Sequence, residues 1–394
     1  MPFRCYESDH GRLSFADSLG LQLSEEFGRF ADFSVVAYYA SRQMARKIFD
    51  IRELSGLYGA RYAVTGNLQF EGKRLRVGVQ LTDLTDGEQL WAERYDYTYD
   101  ALTSFEIQDE IVAEVVGALA DYYGLIVQQA AKNFMREKRV LLSASKAMIW
   151  YNCFQAHLNE STFKKALLAM DFAVKENPEY EIAWAFLGEF YLHGHLFRHS
   201  FAEDPILLGF QCAHKALRIN PRSAQSYITL AWANLYLKNK AATLEAVNQA
   251  MALNPNAASI MGSAGSIMIY AGEYEKGMNW LSRSMQLNKS YPPALNFAMA
   301  IYNLKKKAYA EALQWLEKVD MTSFVWYNII RVLAHAGQRS DKTNTSLSVA
   351  SLEEIRELGA VDKEFIGKCL LDQELVERLY KGLTSAQIPL LTVA

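Results

Sequence analysis

Apolar and polar positions along this chain follow two different periods, and the switch between them separates sheet from helix. Between Ser14 and Phe30, Phe15, Leu19, Leu21, Leu23, Phe27 and Phe30 recur near helical spacing and predict a helix. Residues 33–39, FSVVAYY, form an apolar run rich in β-formers and predict a strand. A second helix is predicted over 51–59, IRELSGLYG, ending at Gly59 as a C-cap. The period then becomes two. In 61–70, Tyr62, Val64, Gly66, Leu68 and Phe70 share one face; in 74–82, Leu75, Val77, Val79 and Leu81 do the same. The short link EGK (71–73) joins these two strands as an antiparallel hairpin.

The next stretch, TDGEQLWAERYD (85–96), holds the dipeptide Asp86-Gly87, a strong two-residue hairpin signal. With those two residues as the loop, Gln80 faces Glu93 and Gly78 faces Tyr95. Leu90 and Ala92 then join the Val79/Leu81 face, with Arg94 and Asp96 paired on it near the strand end. A third helix is predicted over 101–124, with Leu102, Phe105, Ile111, Val115, Leu119 and Tyr122 as its apolar stripe. The order is αβαβββα, preceded by a strand whose tail is MPF; so abrupt a beginning suggests a start trimmed relative to relatives.

Beyond residue 145 the chain repeats itself. KENP ends at Pro178, RINP at Pro221 and ALNP at Pro255, while QLNK puts Lys289 at the next proline position. The last two intervals are 34 residues and the first is 43, a 34-residue unit with a nine-residue insertion near 195–205. Thirty-four is the period of the tetratricopeptide (TPR) repeat, two antiparallel helices per unit. WAFLGEFY supplies its signature through Trp184, Leu187, Gly188 and Tyr191. Gly188 and Ala231 are small where a neighbouring helix must approach, and Trp150, Trp184 and Tyr227 fill space between repeats. Ala166, Met170 and Ala173 give the small–large–small order of second helices, as do Gly277, Leu281 and Ser284. A further pair over about 292–319 fits with a one-residue shift in KKKAYAEA, and a degenerate pair spans 322–360. The fold class is an α+β N-terminal domain (a mixed sheet with antiparallel hairpins) followed by an all-α TPR superhelix. Its divisions are 1–125, a linker helix over 126–144, five to six helix pairs over 145–360, and a capping segment over 361–394.

GARYAVTGNLQ, VQLTDLTDGEQLWAERYD and IQDEIVAEVVGAL resemble the α/β domain, similar to the N-terminal domain of TolB, of bacterial signalling proteins. Those relatives are class III adenylate/guanylate cyclases and ToxR-type winged-helix regulators, in which the domain lies between an effector and a TPR region. The tail LDQELVERLYKGLTSAQIP (371–389) resembles the C-terminal segment of the same proteins. The resemblance implies no catalytic residues for the α/β domain.

The 394 residues are 51% hydrophobic and 22% charged, ordinary for a globular protein, and too many for one core. A net charge of −3 gives no general attraction to nucleic acid or anionic membrane. No apolar run of membrane-spanning length exists in this chain. Cys5, Cys153, Cys212 and Cys369 are far apart and form no C-x-x-C pair, which suits a reducing, cytoplasmic setting.

Candidate chemistry is sparse. The acidic set Asp83, Asp86, Glu88, Glu93 and Asp96 lacks calcium-loop spacing and reads as a hairpin. His193, His195 and His199 lie within seven residues and are weak metal candidates, with Leu196 where an H-E-x-x-H site would place its glutamate. GSAGS (262–266) lacks the preceding strand and following Lys-Ser/Thr of a phosphate loop and reads as close helix packing. The expectation is therefore a chain that is not an enzyme and has no cofactor.

The concave TPR groove is the expected binding face. Its lining is expected to be Tyr151, Gln155, Glu189, Gln225, Trp232, Tyr236, Asn296 and Asn303, with Ala185, Leu192, Ile228 and Ala300 between them. Aromatic anchors with Asn/Gln partners suit an extended peptide or helix, and the chain's own tail is a competing occupant. The expected function is a regulatory module whose groove binds a protein or peptide, with homodimerisation open. Its α/β domain would relay a signal to an attached cyclase or winged-helix domain. The alternative is a small-ligand sensor with a pocket between the α/β domain and the first repeats.

Overall fold

The computed structural model describes residues 1–7, 9–30, 34–44, 53–136, 146–197, 203–319, 325–341 and 367–385. The chain divides into two compact units, Met1–Gly124 and Leu125–Ala394.

The first unit is built on a mixed sheet of order β1-β2-β3-β4: β1 (Arg4–Cys5), β2 (Tyr62–Glu71), β3 (Arg74–Asp83) and β4 (Gln89–Thr98). Strand β1 runs parallel to β2 and the other pairs are antiparallel. Phe3, of the MPF tail, is buried against Gly66, where any Cβ would collide with its ring. Glu71 pairs with Arg74, so Gly72 and Lys73 form a two-residue loop, with Gly72 at φ +59°. Helices α1 (His10–Phe27) and α4 (Ser104–Leu119) pack together, and the buried Gln108 of α4 donates to the Phe15 carbonyl (3.0 Å). Two shorter helices are α2 (Tyr38–Met44) and α3 (Glu53–Tyr58), the latter closed by Gly59 at φ +64°.

Three expectations fail here, each for a definable reason. Residues 34–37 form no strand and Tyr38 begins α2; Phe33 lies outside the described residues. Tyr38 is buried against Gly20 of α1 and its hydroxyl donates to Asp17 (3.2 Å), while Arg42 pairs with the same carboxylate (2.7 Å). Docking on α1 thus overrides the β propensity of Val35 and Val36.

The β3–β4 register is off by one. Gly78 pairs with Arg94 and Val77 with Tyr95, because the loop holds four residues, 84–87, and Leu90 forms a bulge between the Leu81–Trp91 and Thr82–Gln89 pairs. Gly87 has φ +80° and Asp86 does not have positive φ, so the turn is not of the two-residue type I′. Asp83 and Asp86 each accept from the backbone N–H two residues on (2.9 Å), and Gly87 N–H reaches the Asp83 carbonyl (2.9 Å). A one-residue slip exchanges the faces. Trp91, Glu93, Tyr95 and Tyr97 therefore stand beside the buried β3 row, whereas Ala92, Arg94 and Asp96 are exposed. Asp96 pairs with Arg94 (3.6 Å) and, more closely, with Arg76 opposite it (2.7 Å).

Leu102 and Phe105 are not part of the stripe, being 88% and 74% exposed; Leu102 lies in a 3-10 turn (Ala101–Thr103) before α4, and Phe105 in its first turn. At about 100° per residue, Phe105 stands roughly 120° from Ile111. Ile107 and Gln108 continue the buried side instead.

The second unit opens with α5 (Leu125–Arg136) and continues as TPR-type helical hairpins. These are α6 (Ala147–His157) with α7 (Glu160–Glu176), α8 (Glu181–Phe197) with α9 (Pro205–Ile219), and α10 (Ala224–Tyr236) with α11 (Lys240–Leu253). Then come α12 (Ala258–Tyr270) with α13 (Tyr274–Leu287), and α14 (Ala294–Lys305) with α15 (Tyr309–Leu316). Helices α16 (Val325–Asp341) and α17 (Gln373–Ser385) follow. The linker residues 137–144, most of the nine-residue insertion and the second half of the degenerate pair lie outside the described residues.

The repeat is written in its turns. Asn177, Asn220, Asn254 and Asn288 each close a second helix by donating their N–H four residues back, to Ala173, Ala216, Ala250 and Ser284 (2.9–3.1 Å). Between first and second helices, Lys238, Gly272 and Lys307 all take positive φ (60°, 85° and 60°). The residue after each donates to a carbonyl five residues back: Asn239 to Asn234, Glu273 to Met268, Ala308 to Asn303 (2.8–2.9 Å). This is the Schellman closure, and the step from Gly272 to Lys307 carries the expected one-residue shift.

Candidate partner-binding face

The first helices of the hairpins, α8, α10, α12 and α14, present repeat-equivalent residues to one side, and α16 packs on α14 and also reaches α8. The 43- and 34-residue steps put His193, Tyr236 and Tyr270 at one repeat position and Glu189, Trp232 and Ser266 at the one a turn earlier.

Four of the expected groove residues come together. Gln225 donates to the Glu189 carboxylate (2.6 Å) and the Thr229 hydroxyl lies 3.5 Å from the same oxygen. Trp232 meets His193 edge-on (5.1 Å between ring centres), stacks towards Tyr236 (6.2 Å) and tilts against Tyr270 (5.7 Å). Glu189, Gln225, Trp232 and Tyr236 are all buried. Burial pushes the Glu189 carboxyl up to about 8, against hydrogen bonds from Thr229 and Gln225 that favour its charged form. Burial takes the His193 imidazole down to about 4. Tyr236 and Tyr270 are raised well above the ordinary phenol range for the same reason.

The other four lie apart from this cluster. Tyr151 is buried in a ring cluster with Phe186 and Phe190 (4.1 and 5.9 Å), with Gln155 half-buried one turn on. Asn296 accepts from the Tyr291 hydroxyl (3.1 Å) and donates to the Lys318 carbonyl (3.4 Å). Asn303 donates to Met299 of its own helix (2.8 Å). Ala185, Leu192, Ile228 and Ala300 are buried. Of the histidine trio, His193 sits among the aromatics; His199 and the His195 side chain lie outside the described residues. Among the described residues no group of three or more His, Cys, Asp or Glu could hold a metal ion.

The sequence offered the chain's own tail as an occupant of the groove, but not the residues that receive it. A strap, 367–372, runs into α17 across the carboxyl ends of α10, α12 and α14. Leu371 N–H donates to the Tyr270 carbonyl (2.9 Å), and Lys238 donates to the carbonyls of Gly367 and Lys368 (2.8 Å to the latter). Asp372 accepts from the Tyr274 hydroxyl (2.7 Å) and Lys305 (2.7 Å), and caps α17 through Leu375 N–H (3.0 Å). Burial alone would raise this carboxyl; those donors outweigh it and hold Asp372 at about 2. Lys305 also reaches Glu374 (2.9 Å), and Arg378 donates to the carbonyls of Leu304 and Lys305 (2.5 and 3.4 Å). Cys369, Leu370, Leu375, Val376 and Leu379 are buried. Tyr270 was legible, standing 34 residues after Tyr236; nothing local marks Lys238 or Lys305 as strap contacts.

No protein-family model matches the chain. A Rhizobium meliloti (strain 1021) protein named "Putative adenylate cyclase 3" is 32% identical over 119 residues, 30% of this chain and 20% of that protein. The chain thus matches only a fifth of the length of that relative. Among solved structures, a thermophilic TPR protein of Thermus thermophilus is 19% identical, covering 50% of this chain and 99% of its own, with TM-score 0.37. A tetratricopeptide repeat protein of Parabacteroides merdae is 13% identical, covering 65% and 90%, with TM-score 0.34. A third, described as a TPR protein with an unusual peptide-binding site, is 14% identical, covering 49% and 89%, with TM-score 0.26. No helix among the described residues is long and apolar enough to cross a membrane.

Proposed function

We propose that this chain is a non-catalytic regulatory module of a bacterial signalling protein, with a repeat face that takes a protein or peptide partner. The observation that carries this reading is the strap. The array already holds a segment of chain by its main chain: Leu371 N–H donates to the Tyr270 carbonyl, and the Lys238 ammonium donates to the Gly367 and Lys368 carbonyls. Such bonds grip any backbone, and aromatic neighbours add selectivity. On this reading Glu189, Gln225, Trp232 and Tyr236 form the centre of the partner face, and Tyr151, Gln155, Asn296 and Asn303 flank it.

The first unit, in the same proposal, is a TolB N-terminal-like domain that relays signal to a cyclase or winged-helix effector in the cytoplasm. The parts are 1–125, a linker helix over 126–144, repeats over 145–360 and a capping segment over 361–394. Likeness over 119 residues to a protein named as an adenylate cyclase supports the cyclase branch.

The test is titration of the full chain against class III cyclase and winged-helix domains from the same organism, read by calorimetry and light scattering. The expected result is a stoichiometric complex with Kd on the order of micromolar, about −8 kcal/mol, and altered cyclase output. A chain that stays alone, or only self-associates, against all of them would overturn the effector assignment.

A further inference from the structure

We infer that residues 367–379 are a built-in ligand of the repeat face, exchangeable for an outside peptide of the same chemistry. That chemistry is an apolar pair, then an aspartate capping a short helix with an acidic first turn and an apolar stripe. The inference deepens the proposed function and rests on its protein-binding reading.

Three observations combine. First, the receiving surface is made by three successive repeats at the same end of their first helices. Lys238 follows α10, Tyr270 and Tyr274 flank the turn after α12, and Lys305 ends α14. Each contributes a polar contact to the strap and none to its side-chain identity except at Asp372 and Glu374. A surface that reads backbone plus two carboxylates accepts many segments with an aspartate and an acidic first turn at those points.

Second, the charges are complementary. Lys305 stands between Asp372 and Glu374 at 2.7 and 2.9 Å, and the pairing raises its own pKa against the effect of burial. Glu374 is mostly exposed, so this half of the clamp exchanges readily with solvent.

Third, the apolar grip is short. Cys369 and Leu370 precede the aspartate, and Leu375, Val376 and Leu379 follow at one-turn spacing on α17. Ordering some dozen residues opposes the burial of five, which leaves a docked segment that can be replaced. A tethered segment competes at an effective concentration on the order of millimolar, so an outside ligand must bind tighter than the strap or be abundant.

The experiment uses the full chain and the thiol of Cys369 as reporter. Docked, this thiol is buried and its pKa is pushed up to about 12, which makes it slow to react. N-ethylmaleimide labelling is followed by peptide mass mapping, which separates Cys369 from Cys5, Cys153 and Cys212. Asp372→Ala should raise the Cys369 rate at least fivefold with helical circular dichroism unchanged. In the unmodified chain, a synthetic 367–385 peptide carrying Cys369→Ser, at millimolar concentration, should raise the same rate severalfold. The matching peptide that also carries Asp372→Ala should not.

Unchanged Cys369 labelling with the 367–385 peptide overturns the inference, including where the Asp372→Ala chain fails to fold. An effector that binds while Cys369 stays protected also overturns it, yet leaves the proposed function standing. Peptide-driven exposure of Cys369 without binding of any effector upholds the site and counts against that function instead.

Discussion

Glu189 and His193 stand one turn apart on α8, and burial pushes both toward neutrality from opposite sides. Glu189 is raised to about 8 and His193 lowered to about 4. The raised acid supplies stability that is present at low pH and lost as pH climbs from its unfolded value near 4.5 through 8. The lowered base supplies stability that is present above 6.5 and lost as pH falls toward 4. Between about 4.5 and 6.5 the unfolded chain carries one charge of each sign and the folded chain neither, so the proton counts match and this pair gives no slope. Above that window the Glu189 loss stands alone, since Tyr236 beside it remains a neutral phenol. Glu189→Gln keeps an oxygen to accept from Gln225 and removes the charge. Its melting temperature should equal that of the unmodified chain near pH 4, below the unfolded carboxyl's pKa, and exceed it by several degrees at pH 8, where the whole shift is worth on the order of 3–5 kcal/mol. Parallel pH profiles for the two proteins would refute this account. The repeat period alone aligns Glu189 with Trp232 and His193 with Tyr236, so this neighbourhood was legible in the sequence. The ionisation was not, because it depends on burial between neighbouring repeats, with Gln225, Thr229 and Trp232 about 40 positions away.

Between α12 and α13, glycine lets the two helix backbones approach closely. A Cβ at Gly265 would stand 2.7 Å from the Leu281 nitrogen and 2.8 Å from the Gly277 carbonyl oxygen; one at Gly277 would stand 2.7 Å from the Gly265 oxygen. The obstacles are backbone atoms, which cannot rotate away. Gly277→Ala should therefore force the hairpin apart at about 2–3 kcal/mol, which outweighs the about 0.5–1 kcal/mol gained from alanine's helix propensity. Thermal melts check the sign: a neutral or stabilising Gly277→Ala would show that the helices can slide without cost. The GSAGS segment is thus explained by packing, as its helical setting predicted. Other elements were less legible. The β3–β4 register turns on Leu90, a bulge residue whose composition resembles any strand position, and on a four-residue loop in which Asp83 and Asp86 both cap backbone. The strand expected near Val35 was displaced because Tyr38 has a glycine, Gly20, to pack against on a helix 18 residues earlier. Local pattern carries no record of either partner.

In the repeat unit as a whole, stacked hairpins mostly meet their immediate neighbours, and such an array tends to lose structure from its ends. The strap and α16 change that topology. Leu371 bonds to Tyr270, Lys305 to Asp372 and Arg378 to Leu304, while α16 reaches back to α8. These long-range links tie α8, α10, α12 and α14 to the end of the chain, so partial unravelling must break them first and unfolding becomes more nearly all-or-none. Two buried leucines separate this effect from simple loss of core. Leu281→Ala, within the α12–α13 pair, and Leu370→Ala, in the strap, should each cost about 3 kcal/mol. In urea, Leu281→Ala should shift the midpoint with the slope m kept. Leu370→Ala should lower m as well, because releasing the strap lets the hairpins unfold over a spread of denaturant concentrations. Equal m values for both variants would mean that the array is cooperative without its strap.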